Sequence, residues 1–462
     1  MNRGIYNNIK WLPLLLILLL LGNHSAVAQN TTLTLQDCRD LALKFNKQLQ
    51  ASKSSVDAAK FTAKSYKANF FPNIKANAIG LYSGASLSYN SGEGQLPVFS
   101  TSSGQPVPTG EFAFFPGVAL KLDIEGLFNG GVMLEQPIYM GGKVRNAYKM
   151  ANIATQMALA DKQRTENEVI FATDNAYTLA VQAQELYKVA SSYKLLLDEL
   201  LKNVESAHKH GLKPKSDVLK VKVKLNESLL AVKKAENAIR LAKMNLCYMI
   251  GKPLSSSVEL ENNIVVDLNE LNAFITDISS RPEYVLLSKQ VDLVNQQVKL
   301  SRSEMLPNVG LMGSYGYTYG LKLNDKNMFN NFNYAFMVNV SIPIFHFGAG
   351  RNKVKAAKAK LEQTIKNRDD LNLKMELELA QAVNNLDEAK LEYEISGIAL
   401  NQAQESVSVS EGEYKAGLET LANLLEVQAL WQQAYEQNVM AKFNLYLTYM
   451  AYKKACGTIA NE

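Results

Sequence analysis

Hydrophobic residues recur every seven positions through residues 215–250. This seam consists of Val218, Leu225, Val232, Ile239 and Leu246. Such spacing is typical of a coiled coil, in which an apolar stripe on one helix packs against the stripe of another. Lysines occupy many of the positions between, which would keep the remaining faces in water. The pattern therefore predicts a long helix paired with a second helix.

The period changes to strict alternation between residues 332 and 342. Aromatic and β-branched side chains take every second position there, namely Phe332, Tyr334, Phe336, Val338, Val340 and Ile342. Three tyrosines between residues 315 and 319 alternate with small or polar residues in the same way. Segments of about ten residues with one apolar and one polar face are typical of membrane barrel strands. The chain is therefore predicted to combine long helices with membrane strands.

The chain carries one unit twice. Phe-Pro-Asn-Ile at residues 71–74 recurs as Leu-Pro-Asn-Val at residues 306–309, and Gln-Pro-Ile-Tyr at 136–139 recurs as Ile-Pro-Ile-Phe at 342–345. Self-similarity of this kind indicates a duplicated structural unit. We therefore predict a first repeat at residues 29–262 and a second at residues 263–462.

Proline and glycine are poor in helix interiors, so stretches that lack them mark the helices of each repeat. Such stretches predict helices at 32–71, 143–210, 215–250, 283–306, 351–416 and 418–456. Two shorter helices stacked end to end would match one long helix in length. Each repeat is thus expected to form antiparallel coiled coils.

The strands are expected between the helices, within residues 72–138 of the first repeat and 307–345 of the second. Residues 83–116 are rich in Ser, Gly and Pro, which predicts a long loop. The strand that follows is expected to break near residues 129–131, Asn-Gly-Gly. Each repeat then contributes one hairpin, so one chain supplies about four strands.

The amino terminus predicts export. Arg3 and Lys10 precede an apolar run, and small residues at 26–28 supply a cleavage site, so residues 1–28 are expected to be a secretory signal peptide. No later stretch reaches the roughly 18 to 20 apolar residues of a membrane helix. Cleavage would leave 47 basic and 44 acidic residues, and this near-neutral charge gives no case for nucleic-acid binding.

Four strands cannot close a barrel, and an open sheet edge within lipid leaves backbone groups without partners. A protein that inserts must therefore assemble with further copies. Two copies would give eight strands, whose interior is filled by side chains, whereas three give twelve and leave room for a lumen. The smallest assembly expected to conduct solutes is a homotrimer.

The order of helices and strands, the duplicated Pro-Asn and Pro-Ile-aromatic motifs and two Gly-Leu turns resemble the TolC family of outer-membrane efflux proteins. The resemblance implies a mainly α fold in which long antiparallel coiled-coil helices form a periplasmic α-barrel. Four strands per protomer would complete a twelve-stranded trimeric β-barrel in outer-membrane lipid. It also implies a periplasmic adaptor protein and an inner-membrane pump as partners, in a tripartite efflux or type I secretion system.

Two turns join the long helices to their return helices, at 208–217 and 414–423, and are expected to form the periplasmic tip. Glycine suits a helix end in the left-handed conformation, and Ser216 or Asp217 suits a helix N-cap, so a purely structural role would explain these residues. The resemblance implies instead that they dock the adaptor. The docking residues would be Gly211, Leu212, Ser216, Asp217, Gly417, Leu418 and Thr420.

The resemblance also implies a gate at the second turn, formed by acidic residues and a tyrosine. Tyr414 matches the tyrosine and Glu426 the second acidic position, whereas Asn423 replaces the first acid and Glu419 replaces an arginine. Three copies of Glu426 around a threefold axis would form an acidic ring that attracts cations. A lone helical glutamate is, alternatively, an ordinary solvated residue.

Two other classes of protein compete with a channel. Catalysis has no visible place, because no phosphate-binding loop, nucleophile elbow or paired-cysteine zinc pattern occurs, and His208 and His210 do not share a helical face. Neither a cofactor nor a metal site is predicted. A periplasmic or surface coiled-coil protein without channel activity would need the helices but not the strands.

An odd number of cysteines cannot form a complete set of disulfides within one chain, and this sequence has three. They lie far apart, at Cys38, Cys247 and Cys456. The favoured interpretation is that all three are small packing residues.

Overall fold

The computed structural model of the protein describes residues 32–102, 104–262, 264, 277–328 and 330–459. The predicted signal peptide, residues 1–28, lies outside these ranges. Seven helices are present in the described residues: α1 (Leu35–Phe45), α2 (Lys47–Ala68), α3 (Lys143–Lys209), α4 (Lys215–Met249), α5 (Pro282–Ser303), α6 (Ala349–Ala416) and α7 (Leu421–Cys456). The prediction of a mainly α chain with additional strands is confirmed.

Ten strands accompany these helices in the described residues. They are β1 (Thr32–Leu33), β2 (Asn73–Leu81), β3 (Ala85–Asn90), β4 (Gly94–Ser102), β5 (Gln105–Phe115), β6 (Ala119–Met140), β7 (Glu259–Leu260), β8 (Asn308–Leu323), β9 (Lys326–Asn327) and β10 (Asn330–Ser341). None of the helices in the described part of the chain combines the length and apolar character that crossing a bilayer demands.

The prediction of a single helix at residues 32–71 is wrong, because the helix is interrupted at Asn46. The backbone of Asn46 is extended, with φ −61° and ψ 127°. Its side-chain oxygen accepts hydrogen bonds from the backbone N–H groups of Gln48 (2.9 Å) and Leu49 (3.3 Å), which begin α2. Asparagine competes with helical backbone bonds in this way, so absence of Pro and Gly does not guarantee a continuous helix.

The first of two compact units is helical and combines the chain up to Gln50 with Thr165–Ile278 and Leu377 onward. Its main core is an apolar cluster that includes Leu49, Tyr177, Leu246, Phe443 and Met450. The side chains come from α2, α3, α4 and α7, and Leu246 belongs to the heptad seam that the sequence predicted to be buried. Burial of this shared face holds the helices together.

A buried ion pair lies within this unit. Arg39 Nε and Nη2 donate to the two carboxylate oxygens of Asp174 at 2.8 and 2.9 Å, and the residues are only 7% and 0% exposed. Burial raises the pKa of the Asp174 carboxyl, and the hydrogen bonds from Arg39 oppose that rise. A matched buried pair adds little net stability, but either partner alone would leave an uncompensated charge. The pair therefore fixes α1 against α3 in one arrangement.

Tyr177 ties the two ends of the first repeat together. Strands β1 and β7 pair in parallel, with Leu33 opposite Leu260. The buried Tyr177 hydroxyl donates to the Glu261 carbonyl oxygen at 2.6 Å and lies 3.3 Å from the Leu33 carbonyl oxygen. A side chain of α3 therefore satisfies backbone groups at the end of this short sheet.

The three cysteines are buried thiols, and no disulfide joins them; all three lie within the described residues. Burial raises the pKa of the Cys38 thiol to about 12. A thiol with so high a pKa carries almost no thiolate at neutral pH and is unreactive. Their interpretation as packing residues is confirmed.

The second compact unit comprises Ala51–Arg164 and Ser279–Glu376 and contains the main sheet. Its strands follow the order β10, β8, β6, β2, each antiparallel to its neighbour, so the prediction of four principal strands is confirmed. The short strands β3 and β9 extend the ladder along β6 and β8.

The long loop predicted for residues 83–116 is wrong. Strand β3 pairs with the first part of β6, and β4 and β5 pair with each other as a hairpin. Prolines 97, 106 and 108 lie within this hairpin. In a two-stranded ladder every strand has an outer edge where no partner needs an N–H, so proline is tolerated there. A composition rich in proline therefore did not exclude strands.

The strand break expected near residues 129–131 is also wrong. Strand β6 is continuous, and its pairing with β8 shifts register earlier, between Ile124 and Phe128. Gly131 lies opposite Gly316. A Cβ atom on Gly131 would lie 2.5 Å from the Gly316 Cα atom, so these glycines allow close approach of the two strands rather than a break.

Replacing Gly316 with Val tests this close approach. A Cβ at this position would lie 2.7 Å from the Gly130 carbonyl oxygen, so the strands must separate at a cost of about 1–3 kcal/mol. We expect a clear loss of folded protein, measured as the fraction that shifts on heating in gel electrophoresis. Gly310→Val is the matched control in the same strand β8, because a Cβ added there would meet only the Gln136 carbonyl oxygen, at an ordinary contact distance of 3.9 Å. Equal yields of the two variants would contradict the interpretation.

Candidate functional site

The turn after α3 is closed by backbone hydrogen bonds around Gly211. Gly211 has φ +73°, its N–H donates to the His208 carbonyl at 2.9 Å, and the Leu212 N–H donates to the Ala207 carbonyl at 2.9 Å. This is a Schellman motif, which requires a left-handed residue that glycine adopts without strain. It leaves the Leu212 side chain 75% exposed.

The turn after α6 has the same geometry. Gly417 has φ +78°, its N–H donates to the Tyr414 carbonyl at 3.1 Å, and the Leu418 N–H donates to the Glu413 carbonyl at 2.9 Å. Leu418 is 81% exposed. Both repeats therefore present a leucine to solvent directly after a helix-terminating glycine.

The return helices begin differently, and the N-cap predicted at Ser216 or Asp217 is wrong. The N-cap of α4 is Pro214, which has no side-chain acceptor, and both predicted residues lie in the first helical turn. Asp217 there lies beside the positive end of the helix and 3.4 Å from the Lys220 ammonium. Proline at φ −71° fixes the entry into the helix before the position that the sequence pattern indicated.

Thr420 is the N-cap of α7, so this helix begins at Leu421 and not at residue 418. The threonine hydroxyl oxygen accepts a hydrogen bond from the Asn423 N–H at 3.3 Å. Leu418 consequently belongs to the turn. The Schellman motif fixes the start of the segment between Gly417 and Thr420, and the N-cap fixes its end.

Tyr414 brings the two turns into contact. The Lys213 ammonium lies 4.6 Å from the centroid of the Tyr414 ring, a cation–π geometry. Burial raises the pKa of the half-buried Tyr414 hydroxyl, and the nearby Asp217 carboxylate adds to the rise. The His208 Nδ1–H donates to the Lys213 carbonyl at 2.8 Å, which fixes the Lys213 backbone. Sequence reasoning missed Lys213, because only the folded turn places it over the ring.

The other two predicted gate residues lie at the surface. Asn423 and Glu426 are exposed on α7 and three positions apart, so they are neighbours on one helical face. Beneath them, Leu421, Leu424 and Leu425 belong to an apolar cluster shared with α3, α4 and α6. Glu419, at the position where the resemblance implies an arginine, accepts a hydrogen bond from the Ser410 hydroxyl. The structure thus joins Tyr414 to the first turn and leaves Asn423 and Glu426 facing solvent.

A family model described as "Outer membrane efflux protein" matches residues 38–252 and 279–458, which is most of the chain. The chain belongs to this family. It is accordingly an outer-membrane efflux protein, and the family is one of efflux proteins rather than of enzymes. The predicted resemblance to the TolC family is confirmed.

Individual relatives are distant but aligned over much of their length. The pyoverdine export outer membrane protein OpmQ of Pseudomonas aeruginosa is 21% identical over 338 residues, covering 71% of this chain and 70% of OpmQ. Outer membrane protein TolC of Vibrio cholerae is 19% identical over 347 residues, covering 73% of this chain and 78% of TolC.

Solved structures share the fold over nearly the whole chain. The outer membrane protein VceC of Vibrio cholerae matches with a TM-score of 0.74 at 16% identity, covering 92% of this chain and 96% of VceC. The CmeC outer membrane channel of Campylobacter jejuni matches with a TM-score of 0.72 at 18% identity, covering 92% of this chain and 86% of CmeC. The fold is therefore that of these outer-membrane channels.

The unequal caps lead to a testable difference between the two turns. Thr420→Ala removes the only side-chain cap seen at these two helix starts and should destabilise the start of α7 by about 1 kcal/mol. Ser216→Ala removes no cap, and its effect should stay within about 0.5 kcal/mol. Hydrogen exchange of the first turns of α7 and α4, followed by mass spectrometry, measures both. Faster exchange in the Ser216 variant than in the Thr420 variant would argue for an N-cap at Ser216 instead.

Proposed function

We propose that the chain is the channel subunit of a tripartite efflux pump or type I secretion system. It works as a homotrimer in the outer membrane, with a periplasmic adaptor and an inner-membrane pump. The observation that carries the proposal is a four-stranded antiparallel path that is open at both ends. Heat-modifiable trimers in outer-membrane fractions would support it, and a soluble periplasmic rod would refute it.

The open ends of the sheet are β10 and β2. Within the described residues, β10 pairs only with β8 and β2 pairs only with β6. Unpaired backbone groups in lipid cost several kcal/mol each, which favours pairing of β10 in one copy with β2 in the next. Two copies would give eight strands and a filled interior, whereas three give twelve and a lumen.

The exposed apolar side chains of the sheet argue against a purely structural coiled-coil protein. Residues Phe332, Tyr334, Phe336, Val338 and Val340 on β10 are all exposed in the single chain. A row of large apolar side chains in water favours aggregation, whereas lipid is a suitable neighbour for them. The strands thus support an outer-membrane channel.

The two Gly-Leu turns are the proposed docking site for the adaptor. Gly211 and Gly417 fix the backbone, and Leu212 and Leu418 project apolar surface into solvent next to polar helix ends. Single exposed leucines are common, but two in identical turns of the two repeats give a repeated contact. Ser216, Asp217 and Thr420, which start the return helices, would form the polar border of this contact.

The proposed gate consists of Tyr414, Asn423 and Glu426. Tyr414 links the second turn to the first through Lys213, and rupture of that contact would free the turns to separate. Glu426 is exposed. The proposal places this face of α7 at the threefold axis, where three copies of the carboxylate would face one another across water. The negative potential of such a ring would attract cations to the entrance.

Replacing Glu426 with Ala tests the gate in single-channel recordings from planar bilayers. Removal of three carboxylates should weaken cation preference and reduce block by added divalent cations, since no charge ring remains. Glu413→Ala is the control, because Glu413 is an exposed glutamate at the end of α6 outside the proposed gate. A current–voltage curve that is unchanged in the Glu426 variant with divalent cations would remove Glu426 from the gate.

Polar replacement of the turn leucines tests adaptor docking. Leu212→Ser and Leu418→Ser remove exposed apolar contacts without altering the Schellman hydrogen bonds, so the channel should still fold and conduct. Capture of the adaptor by crosslinking in cells should fall by about tenfold for each leucine replaced, if each contributes roughly 1–1.5 kcal/mol. Leu230→Ser, at an exposed leucine within α4, is the control. Undiminished crosslinking in the double variant would contradict docking through these turns.

A further inference from the structure

The two junctions between the sheet and the long helices repeat one arrangement of side chains. The first junction is residues 137–149 and the second is residues 343–355, and the two align without a gap. In each, Pro and Ile precede an aromatic residue, and an Arg and a Lys four positions apart follow in the first turns of the long helix. The matched pairs, all exposed, are Ile138 and Ile344, Tyr139 and Phe345, Arg145 and Arg351, and Lys149 and Lys355.

The first junction borders a cavity of about 510 Å³. Ile138 and Tyr139 give this cavity an apolar wall, and Arg145 is the only charged residue that lines it in the described part of the chain. A cavity with an apolar wall and a lone cation suits a ligand that is apolar at one end and anionic at the other.

The second junction borders a similar cavity, of about 640 Å³. Its lining includes Ile344, Phe345, His346 and Arg351. Glu304 also lines it, but both oxygens of this carboxylate accept hydrogen bonds from the Lys353 ammonium, at 2.8 and 2.6 Å. The charge of Glu304 is therefore compensated, and Arg351 gives the second cavity the same character as the first.

Phe347 adds exposed apolar surface to the second junction at the expense of backbone strain. Its φ is +47°, in the left-handed region that Gly141 occupies at the matching position of the first junction, with φ +58°. A bulky residue is rare in that region, and such strain is found at functional positions. The Phe347 ring is 91% exposed and packs against the Phe345 ring, with centroids 4.8 Å apart. Burial of both rings in an apolar environment would offset the strain.

Basic side chains are concentrated at the end of α6 that follows the sheet. The first 26 residues of this helix carry eight basic and three acidic side chains, whereas the remaining 42 carry two basic and nine acidic. Arg351 and Lys355, like Arg145 and Lys149 on α3, form no ion pair within the described residues. Uncompensated cations beside the sheet create a positive potential that attracts anions.

We propose that the two junctions are docking surfaces for the anionic phospholipids of the outer membrane. Strands of about ten residues span a bilayer, so the end of β10 at Ser341 places the second junction at the boundary of lipid and water. Aromatic rings favour that depth, and basic side chains next to it bind anionic headgroups. The Ile and aromatic side chains contact acyl chains, and the Arg and Lys bind the phosphate. The inference rests on the proposed function in one respect, that the main sheet is the part of the chain in lipid.

Retention of lipid by the full-length, detergent-solubilised protein tests these surfaces. Phosphatidylglycerol, which is anionic, and phosphatidylcholine, which is zwitterionic, are added in equal amounts, and native mass spectrometry counts the molecules of each that stay bound. One basic residue near an anionic lipid strengthens binding about fivefold, so two should favour phosphatidylglycerol at least about tenfold. Equal retention of the two lipids would overturn the inference. The ratio is read on trimers or single chains alike, whereas absence of trimers would count against the proposed function.

A pair of double variants assigns the lipid preference to the junctions. Lys149→Gln with Lys355→Gln removes one cation from each junction and should lower the preference about fivefold. Lys202→Gln with Lys366→Gln is the matched control and should leave it unchanged, because these exposed lysines lie on the same two helices farther from the sheet. Equal effects of the two variants would refute lipid binding at the junctions. Loss of trimers in the junction variant alone would refute it too, since the lysines would then contact a second copy.

Phe347→Asn tests the apolar part of the second junction. Asparagine adopts a left-handed backbone more readily than phenylalanine, so this variant should fold at least as well as the parent protein. It should retain fewer molecules of both lipids at an unchanged ratio, because only contact with acyl chains is lost. Undiminished retention of both lipids would contradict contact between the Phe347 ring and lipid.

Discussion

Backbone hydrogen bonding along the edges of the main sheet is the constraint on which the rest of the molecule depends. The pair β6 and β8 is satisfied on both sides over most of its length, but β2 and β10 each present an open ladder. Lipid offers no hydrogen-bond partner for those backbone groups, so a single chain in a membrane would leave them unpaired. In the proposed trimer, β10 of one copy pairs with β2 of the next, so these backbone groups gain hydrogen-bond partners. Gly131 and Gly316 allow the two central strands to approach closely where they face each other.

The helical unit meets a different constraint, since long helices need defined ends. Both long helices stop with the same Schellman motif, and this identity of backbone is the clearest structural trace of the duplication. The starts of the return helices have diverged, with a side-chain cap at Thr420 and none at Pro214. Contact between Lys213 and Tyr414 then joins two turns that lead into differently capped helices.

The heptad pattern predicted the helix α4 well, because it reports the burial of one helical face, and strict alternation predicted the strand β10. Composition was a poorer guide. Pro-rich residues 83–116 form strands, since a two-stranded hairpin has free edges, and Asn46 ended a helix that contained neither Pro nor Gly. Of the candidate site, the glycine conformations followed from local chemistry alone. The roles of Tyr414, Asn423 and Glu426 came from family resemblance and stay predictions. Lys213 could not be found in the sequence, because its contact depends on how two distant turns pack.

Two sets of buried polar groups in the helical unit differ in how far their hydrogen bonds are satisfied. Arg39 and Asp174 form two short hydrogen bonds with each other, so the buried pair fixes α1 against α3 and neither charge is left uncompensated. Gln428 is as deeply buried but only half satisfied, and it lies where a cavity opens beside the turns. Its Oε1 has no partner among the described residues and no surface open to that cavity, so it could gain a partner only by repacking, and its burial stays a cost to the fold.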